Sequence, residues 1–178
     1  MATIIEMQAA LSDLSGGFTM PGLNFDTIVE RIVETNPEYK TVLDTYTGDS
    51  RINQKQKMIN YLSNSNSKDY INSQINIIRI NFSNLNTGIT QLKEGLFSAT
   101  ASNAMPPALA AGITPNPAYV AIENNTKKNI LLTACDALVL CLSNLIQSAL
   151  NIYFELPSSV MLMVSTLTNL RSSINQIP

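Results

Sequence analysis

There is no histidine anywhere in the chain, and no tryptophan. The missing histidine removes the commonest general base, the commonest metal ligand and the Ser-His and Cys-His nucleophile arrangements. Glycine-rich phosphate-binding loops are absent as well. Acidic pairs occur only at helix-surface spacing, as in Glu30 with Glu34, where a solvated helix face is the ordinary outcome. These absences predict a protein that is not an enzyme and has no cofactor or metal.

Charge is also scarce. Asp, Glu, Lys and Arg make up 13% of the 178 residues, against about 25% in ordinary soluble domains. The formal net charge is −2, and Lys127-Lys128 is the only adjacent basic pair. A nucleic-acid binder needs clustered Lys and Arg to displace counterions, so none is expected as a partner. Lys127 and Lys128 fall at the start of a long expected helix, the end at which cations are disfavoured. Cysteine is limited to Cys135 and Cys141, six apart in an apolar stretch. On a helix that offset separates them, so they read as buried free thiols rather than a disulfide or a metal pair. The first residues, MATIIEMQAALSDL, lack a basic segment and carry Glu6 within the apolar part, which does not match a signal peptide.

Amides, hydroxyls and aliphatics fill the space that charge leaves. Hydrophobic residues are 45% of the chain, and Asn alone supplies about twenty residues, as a low-GC genome would produce. The charges are unevenly placed. Residues 1–69 hold fifteen of the twenty-four and sum to −3, while residues 70–178 hold nine and sum to +1. The C-terminal two-thirds must then be solvated by amides and hydroxyls, or covered by partners, since interface cores are depleted in Lys, Glu and Asp.

Helix signals run the length of the chain. Residues 4–14 read as a short amphipathic helix stopped at Gly16-Gly17. Asp26 is a candidate cap for a helix to Asn36, with Ile28, Ile32 and Val33 inward. Asn36-Pro37 starts the next, ending before Gly48, and Asp49 or Ser50 starts another through Leu62. Residues 63–67, SNSNS, read as a polar loop.

The clearest pattern follows. Ile71, Ile75, Ile78, Phe82, Leu85, Ile89, Leu92 and Leu96 alternate four and three apart, a heptad seam of more than three repeats. Its flanks are mostly Asn, Gln and Gly rather than Glu and Lys pairs, and Gly88 interrupts it at a cost of about 1 kcal/mol relative to Ala. An intramolecular hairpin or a bundle inside an assembly fits this better than a free coiled coil, and the seam can be satisfied within one chain or between chains. Residues 97–116 then carry no charge and contain Pro106, Pro107 and Pro115, which forbid a continuous helix. This neutral Ala/Pro segment reads as an extended arm, with Met105, Pro106, Pro107, Leu109 and Ile113 as its contact residues.

A helix is expected from Asn116-Pro117 to Glu123, and a long one over about 127–155 with Thr126 as cap. The long helix carries two apolar stripes, one through Leu132, Cys135, Val139 and Leu142, the other through Leu131, Ala134, Leu138 and Leu145. A helix apolar most of the way round is central in a fold or lies in a membrane. Asp136 within it is a candidate buried carboxylate that fixes register or bonds a partner side chain. Residues 130–150 are long enough to cross a bilayer, but Asp136, Asn144 and Gln147 interrupt them, and an Asp near a helix centre costs about 2.5–3.5 kcal/mol to insert. Pro157 ends the helix and starts a last one with Val160, Met163, Leu167, Leu170 and Ile174 inward.

The expected fold is all-α: a helical bundle with long heptad-patterned helices and an extended arm. Residues 1–66 form an acidic group of short helices, and residues 67–178 a bundle interrupted by the arm at 97–116. The expected function is a structural subunit of a large multi-subunit assembly, a virus or bacteriophage tail, baseplate or neck component, in a virion or a cytoplasmic assembly. Its partners are other protein subunits, as a homo-oligomer or a hetero-assembly. A membrane-active pore or ejection component using helix 130–155 is the alternative. An adaptor or chaperone-like binding module is a third.

Overall fold

The computed structural model describes residues 4–14, 20–101, 121–122 and 124–177. The fold is all-α. Seven helices appear among these residues: α1 (Ile4–Leu14), α2 (Phe25–Thr35), α3 (Pro37–Leu43), α4 (Gly48–Leu62), α5 (Ser65–Ala99), α6 (Asn125–Asn151) and α7 (Ser158–Gln176). The one extended element among the described residues is a two-residue antiparallel pair, β1 (Thr100–Ala101) with β2 (Ala121–Ile122), in register Thr100 to Ile122 and Ala101 to Ala121. β2 stands where the sequence predicted the end of a helix through Glu123; the rest of that expected helix lies outside the described residues.

The chain divides into two compact units, one of Thr19–Phe82 with Ser143–Pro157, the other of Met1–Phe18, Ser83–Leu142 and Ser158–Pro178. The boundary expected at 66–67 from the change in charge falls inside the first of these. The reason is local: Asn64 caps α5 directly, accepting the Ser67 N–H on Oδ1 at 3.1 Å. The SNSNS stretch is therefore a turn at Ser63-Asn64 followed by the first turn of α5, rather than a five-residue loop. α5 and α6 each contribute residues to both units.

In the first unit the starts of α2 and α3 are set by asparagines. Asn24, not Asp26, caps α2, its Oδ1 accepting the Thr27 N–H at 2.9 Å. Asn36 ends α2 and starts α3: its N–H donates to the Ile32 carbonyl at 2.8 Å, and its Oδ1 accepts the Glu38 N–H at 3.0 Å. Pro37 then occupies the first helical position, where its missing N–H costs nothing. α3 ends at Leu43, short of the expected stop. Ile28, Val29, Ile32 and Val33 of α2 are buried, as are Leu43, Met58, Leu62, Ile71, Ile75 and Ile78. Each such aliphatic side chain contributes about 1.5–3 kcal/mol on burial, before the entropy of ordering it is counted. Lys55 of α4 reaches two of the three acidic residues of α2, Glu30 at 2.8 Å and Glu34 at 2.6 Å. Arg51 donates to the Leu43 carbonyl at 2.8 Å and meets Asp44 at 3.1 Å.

In the second unit α6 and α7 run antiparallel, as two pairs of opposite sense require. Asp136 meets Arg171 at 2.6 Å, and Lys128 Nζ donates to the Ile177 carbonyl at 2.5 Å. Val160, Met163, Leu167, Leu170 and Ile174 form the buried stripe of α7, and α1 contributes Met7, Leu11 and Leu14. α5 approaches α6 closely at Gly88, where a Cβ would lie 2.4 Å from Leu138 Cδ2.

Candidate functional site

Of the eight seam residues, Ile71, Ile75, Ile78, Leu85, Ile89, Leu92 and Leu96 are buried and Phe82 is half-buried. All are covered by atoms of this same chain. The seam thus fills cores rather than standing open to a partner. The face of α5 left in water carries Ser73, Asn76, Ser83, Asn84, Thr87 and Thr90, with Arg79, Ile80 and Glu94 among them.

The arm residues Met105, Pro106, Pro107, Leu109 and Ile113 lie outside the described residues. Its expected start at 97 moves, because Phe97–Ala99 continue α5 and Thr100–Ala101 form β1. The pairing of β1 with β2 brings the two ends of the stretch 102–120 together.

Asp136 is exposed (side chain 56%), not buried as its apolar neighbours suggested. The buried stripe of α6 is Leu131, Cys135, Leu138, Leu142, Leu145, Ala149 and Ile152, which runs between the two expected stripes. The opposite face stays in water and holds Ile130, Thr133, Asp136, Ala137, Leu140, Asn144, Gln147 and Leu150. Asp136 is on that face and binds Arg171 bidentately, Nε to Oδ1 at 2.6 Å and Nη2 to Oδ2 at 3.3 Å. Such an exposed pair contributes about 0–1 kcal/mol and fixes the register of two helices more than their stability. Lys127 and Lys128 sit at the start of α6, and Asn124 rather than Thr126 caps it, accepting the Lys127 N–H at 2.9 Å. Neither cysteine is in a disulfide; Cys135 is buried and Cys141 half-buried. Burial pushes the Cys135 thiol up to about 11, with the neighbouring Asp136 charge adding to it. Burial raises the Cys141 thiol too. Among the described residues no three Cys, Asp or Glu gather in a way that could hold a metal ion.

The outer face of α7, like that of α6 apart from Asp136, is built of hydroxyls, amides and aliphatics. Its exposed residues are Ser158, Ser159, Met161, Leu162, Ser165, Thr168, Asn169, Ser172, Asn175 and Gln176. None is charged. Leu140 on α6 is 63% exposed and Leu162 on α7 is 66% exposed.

The first unit contains a feature that sequence reasoning did not find. An open cavity of about 340 Å³ lies among α2, α3, the start of α5 and the end of α6. Its floor is aliphatic, with Ile32, Leu62, Ile71 and Ile152. Three tyrosines line it, Tyr39, Tyr70 and Tyr153, and Glu38 is the single charged residue in its lining. Burial raises the Tyr39 hydroxyl above its ordinary value, with Glu38 and then Tyr61 adding to the effect.

Tyr153 is held there by an unusual helix ending. Its φ is +54°, the left-handed region that glycine normally occupies after a helix. The Phe154 N–H donates to the Ala149 carbonyl at 2.9 Å and the Tyr153 N–H to the Leu150 carbonyl at 3.3 Å, the bond pair of a Schellman ending. The Tyr153 carbonyl accepts from Arg31 Nε at 3.0 Å, and Arg31 Nη2 meets Glu155 at 2.7 Å. This ending explains why α6 stops at Asn151, before the expected 155. The sequence carries no local signal for it, since Ile152-Tyr153-Phe154 lacks the glycine that marks such a turn.

Comparison with known proteins found no family model, no curated protein and no solved structure that matches the chain.

Proposed function

We propose that this chain is a non-enzymatic structural subunit of a multi-subunit protein assembly, a helical bundle with heptad-patterned helices whose charge-poor outer faces pack on other subunits. The single observation that supports this reading most is the outward face of α7, ten exposed residues without a charge and with Met161 and Leu162 among them. A helix face meant only for water normally carries Lys, Glu, Asp and Arg. The neutral segment 102–120, anchored at both ends by β1 and β2, is the interlocking arm of such a subunit. A virus or phage particle, in a tail, baseplate or neck, is the setting that the composition suits. The absence of histidine from the sequence supports the non-enzymatic part.

The test is to place charge on that face. Leu140→Lys and Leu162→Lys change exposed positions, so the helical circular dichroism and the melt are expected to stay as they are while self-association is lost. Unchanged association in both variants would overturn the reading.

One observation favours a second reading. α6 is the one helix among the described residues long and apolar enough to cross a membrane. As a membrane-active element it would have to bury Asp136, Asn144 and Gln147, all on its exposed face. Co-flotation of the protein with phosphatidylglycerol vesicles would favour this reading over the first.

A further inference from the structure

The tyrosine-lined cavity lies wholly within the first unit and has no place in the packing of outer helix faces. Its volume of about 340 Å³ is at the small end of ligand pockets, which run from about 300 to 1,000 Å³. The charge of its lining decides the charge of its occupant. Glu38 is the single charged residue there. Among the described residues its carboxylate pairs with no Lys or Arg, whereas those of Glu30, Glu34, Asp44 and Glu155 each do. Cations at neighbouring positions are engaged elsewhere: Lys40 with Asp44, Lys68 over the Phe25 ring, and Arg31 with Glu155 and the Tyr153 carbonyl. A cleft lined by one sign of charge draws the opposite sign. A neutral occupant would strip water from Glu38 without pairing it.

The aromatic lining favours a cation too. Tyr39, Tyr70 and Tyr153 come from three separate segments, and the faces of aromatic rings carry negative potential. Tyr39 lies within the field of Glu38: burial raises its hydroxyl above the ordinary value, and the Glu38 charge adds to that. Tyr153 reaches the cavity from a left-handed backbone position that glycine would fill without a ring. Non-glycine residues held in that region cluster at binding sites.

The floor decides which cation. Ile32, Leu62, Ile71 and Ile152 are buried aliphatics that offer no side-chain acceptor. A divalent metal ion needs several oxygen ligands, and the lining holds one carboxylate. A primary ammonium is strongly hydrated and brings three N–H donors that an aliphatic floor leaves unpaired. A quaternary ammonium has no N–H. Its methyl groups pack on aliphatic carbon while its charge meets ring faces and a carboxylate. We propose that the cavity binds a small, free quaternary ammonium compound, of the kind choline represents, among Tyr39, Tyr70 and Tyr153 with Glu38 as its counter-ion. The site is complete within one chain, so it stands apart from the assembly reading.

The test is a titration of the full-length protein with choline, followed by nuclear magnetic resonance of the tyrosine rings. The control ligand is the neutral tert-butyl analogue of choline, in which carbon replaces the nitrogen. Choline is expected to bind about tenfold more tightly than the analogue. Glu38→Gln and Tyr70→Leu are each expected to weaken choline about tenfold, while Tyr70→Phe keeps the ring and binds like wild type. Both positions are exposed, so the helical circular dichroism of these variants is expected to match wild type. Equal binding of choline and its analogue would overturn the proposal, because the cavity would then read shape alone. Wild-type affinity in both Glu38→Gln and Tyr70→Leu would overturn it as well, since choline would be binding elsewhere. So would a choline titration that moves no tyrosine signal. A trimethyl-lysine peptide that binds far more tightly than choline would make a protein side chain the occupant and overturn the free-ligand assignment.

Discussion

Leu138 occupies the space that a side chain on Gly88 would need: a Cβ there would sit 2.4 Å from Leu138 Cδ2 and 3.5 Å from its Cγ. The glycine that appears as a flaw in the heptad pattern is thus a point where α5 and α6 approach each other closely. At Gly95, by contrast, a Cβ would rest 3.4 Å from Leu131 Cδ2, an ordinary contact. The two glycines should therefore respond in opposite directions. Gly95→Ala is expected to stabilise by about 0.5–1 kcal/mol through helix propensity. Gly88→Ala is expected to destabilise by about 1 kcal/mol, because overpacking outweighs the same propensity gain. Urea unfolding of both variants checks this, and stabilisation by Gly88→Ala would mean that Leu138 moves aside freely.

Tyr153 and Arg31 form a second checkable pair. Arg31 holds the Tyr153 carbonyl from Nε and Glu155 from Nη2. Arg31→Ala is expected to cost about 1 kcal/mol, since the ion pair itself is exposed and the carbonyl contact is the larger loss. Tyr153→Gly is expected to leave stability unchanged or raise it by about 1 kcal/mol. Thermal melts of the two variants, run side by side, give both answers.

The thiols give a pH dependence with a definite sign. The folded Cys135 thiol lies at about 11, above its ordinary 9.0. The stability it contributes is therefore fully present below pH 9 and is lost as the pH rises toward 11, because only the unfolded chain deprotonates in that window. The loss should be roughly 2 kcal/mol and should be missing in Cys135→Ala. At pH 8 both thiols should react with a disulfide reagent more slowly than free cysteine, the buried Cys135 more slowly than Cys141.

Asp44 gives the opposite sign. Hydrogen bonds from Lys40 and Arg51 hold its carboxyl below the ordinary 3.8. Its contribution is present above pH 3.8 and disappears as the pH falls further. A carboxyl carbon titration by nuclear magnetic resonance is expected to show a lowered midpoint that returns to the ordinary value in Lys40→Ala, Arg51→Ala.

Features carried by neighbouring residues were legible in the sequence. Asn36-Pro37 announced both the end of one helix and the start of the next, because cap and first-turn chemistry act within three residues. α1, and the inward stripe of α7, followed from spacing alone. Errors arose where two local candidates competed. Asn24 and Asp26 are both good caps, and the buried set Ile28, Val29, Ile32 and Val33 is what places α2 one residue after Asn24. Asp136 was expected to be buried because its neighbours along the chain are apolar. The stripe from Leu131 to Ile152 turns it outward, and only the long-range partner Arg171 shows this. The cavity was illegible for the same reason: Tyr39, Tyr70 and Tyr153 come together from three distant segments, and a left-handed tyrosine leaves no trace in a search for glycine stops.

The most direct measurement is the mass of the full-length protein by light scattering across a concentration series, without detergent. A defined multiple of 19.4 kDa is expected, falling to a single chain when residues 102–120 are replaced by an Asn-Gly turn between β1 and β2. A mass of 19.4 kDa at every concentration, with a cooperative melt, would contradict the assembly reading and leave a self-contained helical domain in its place.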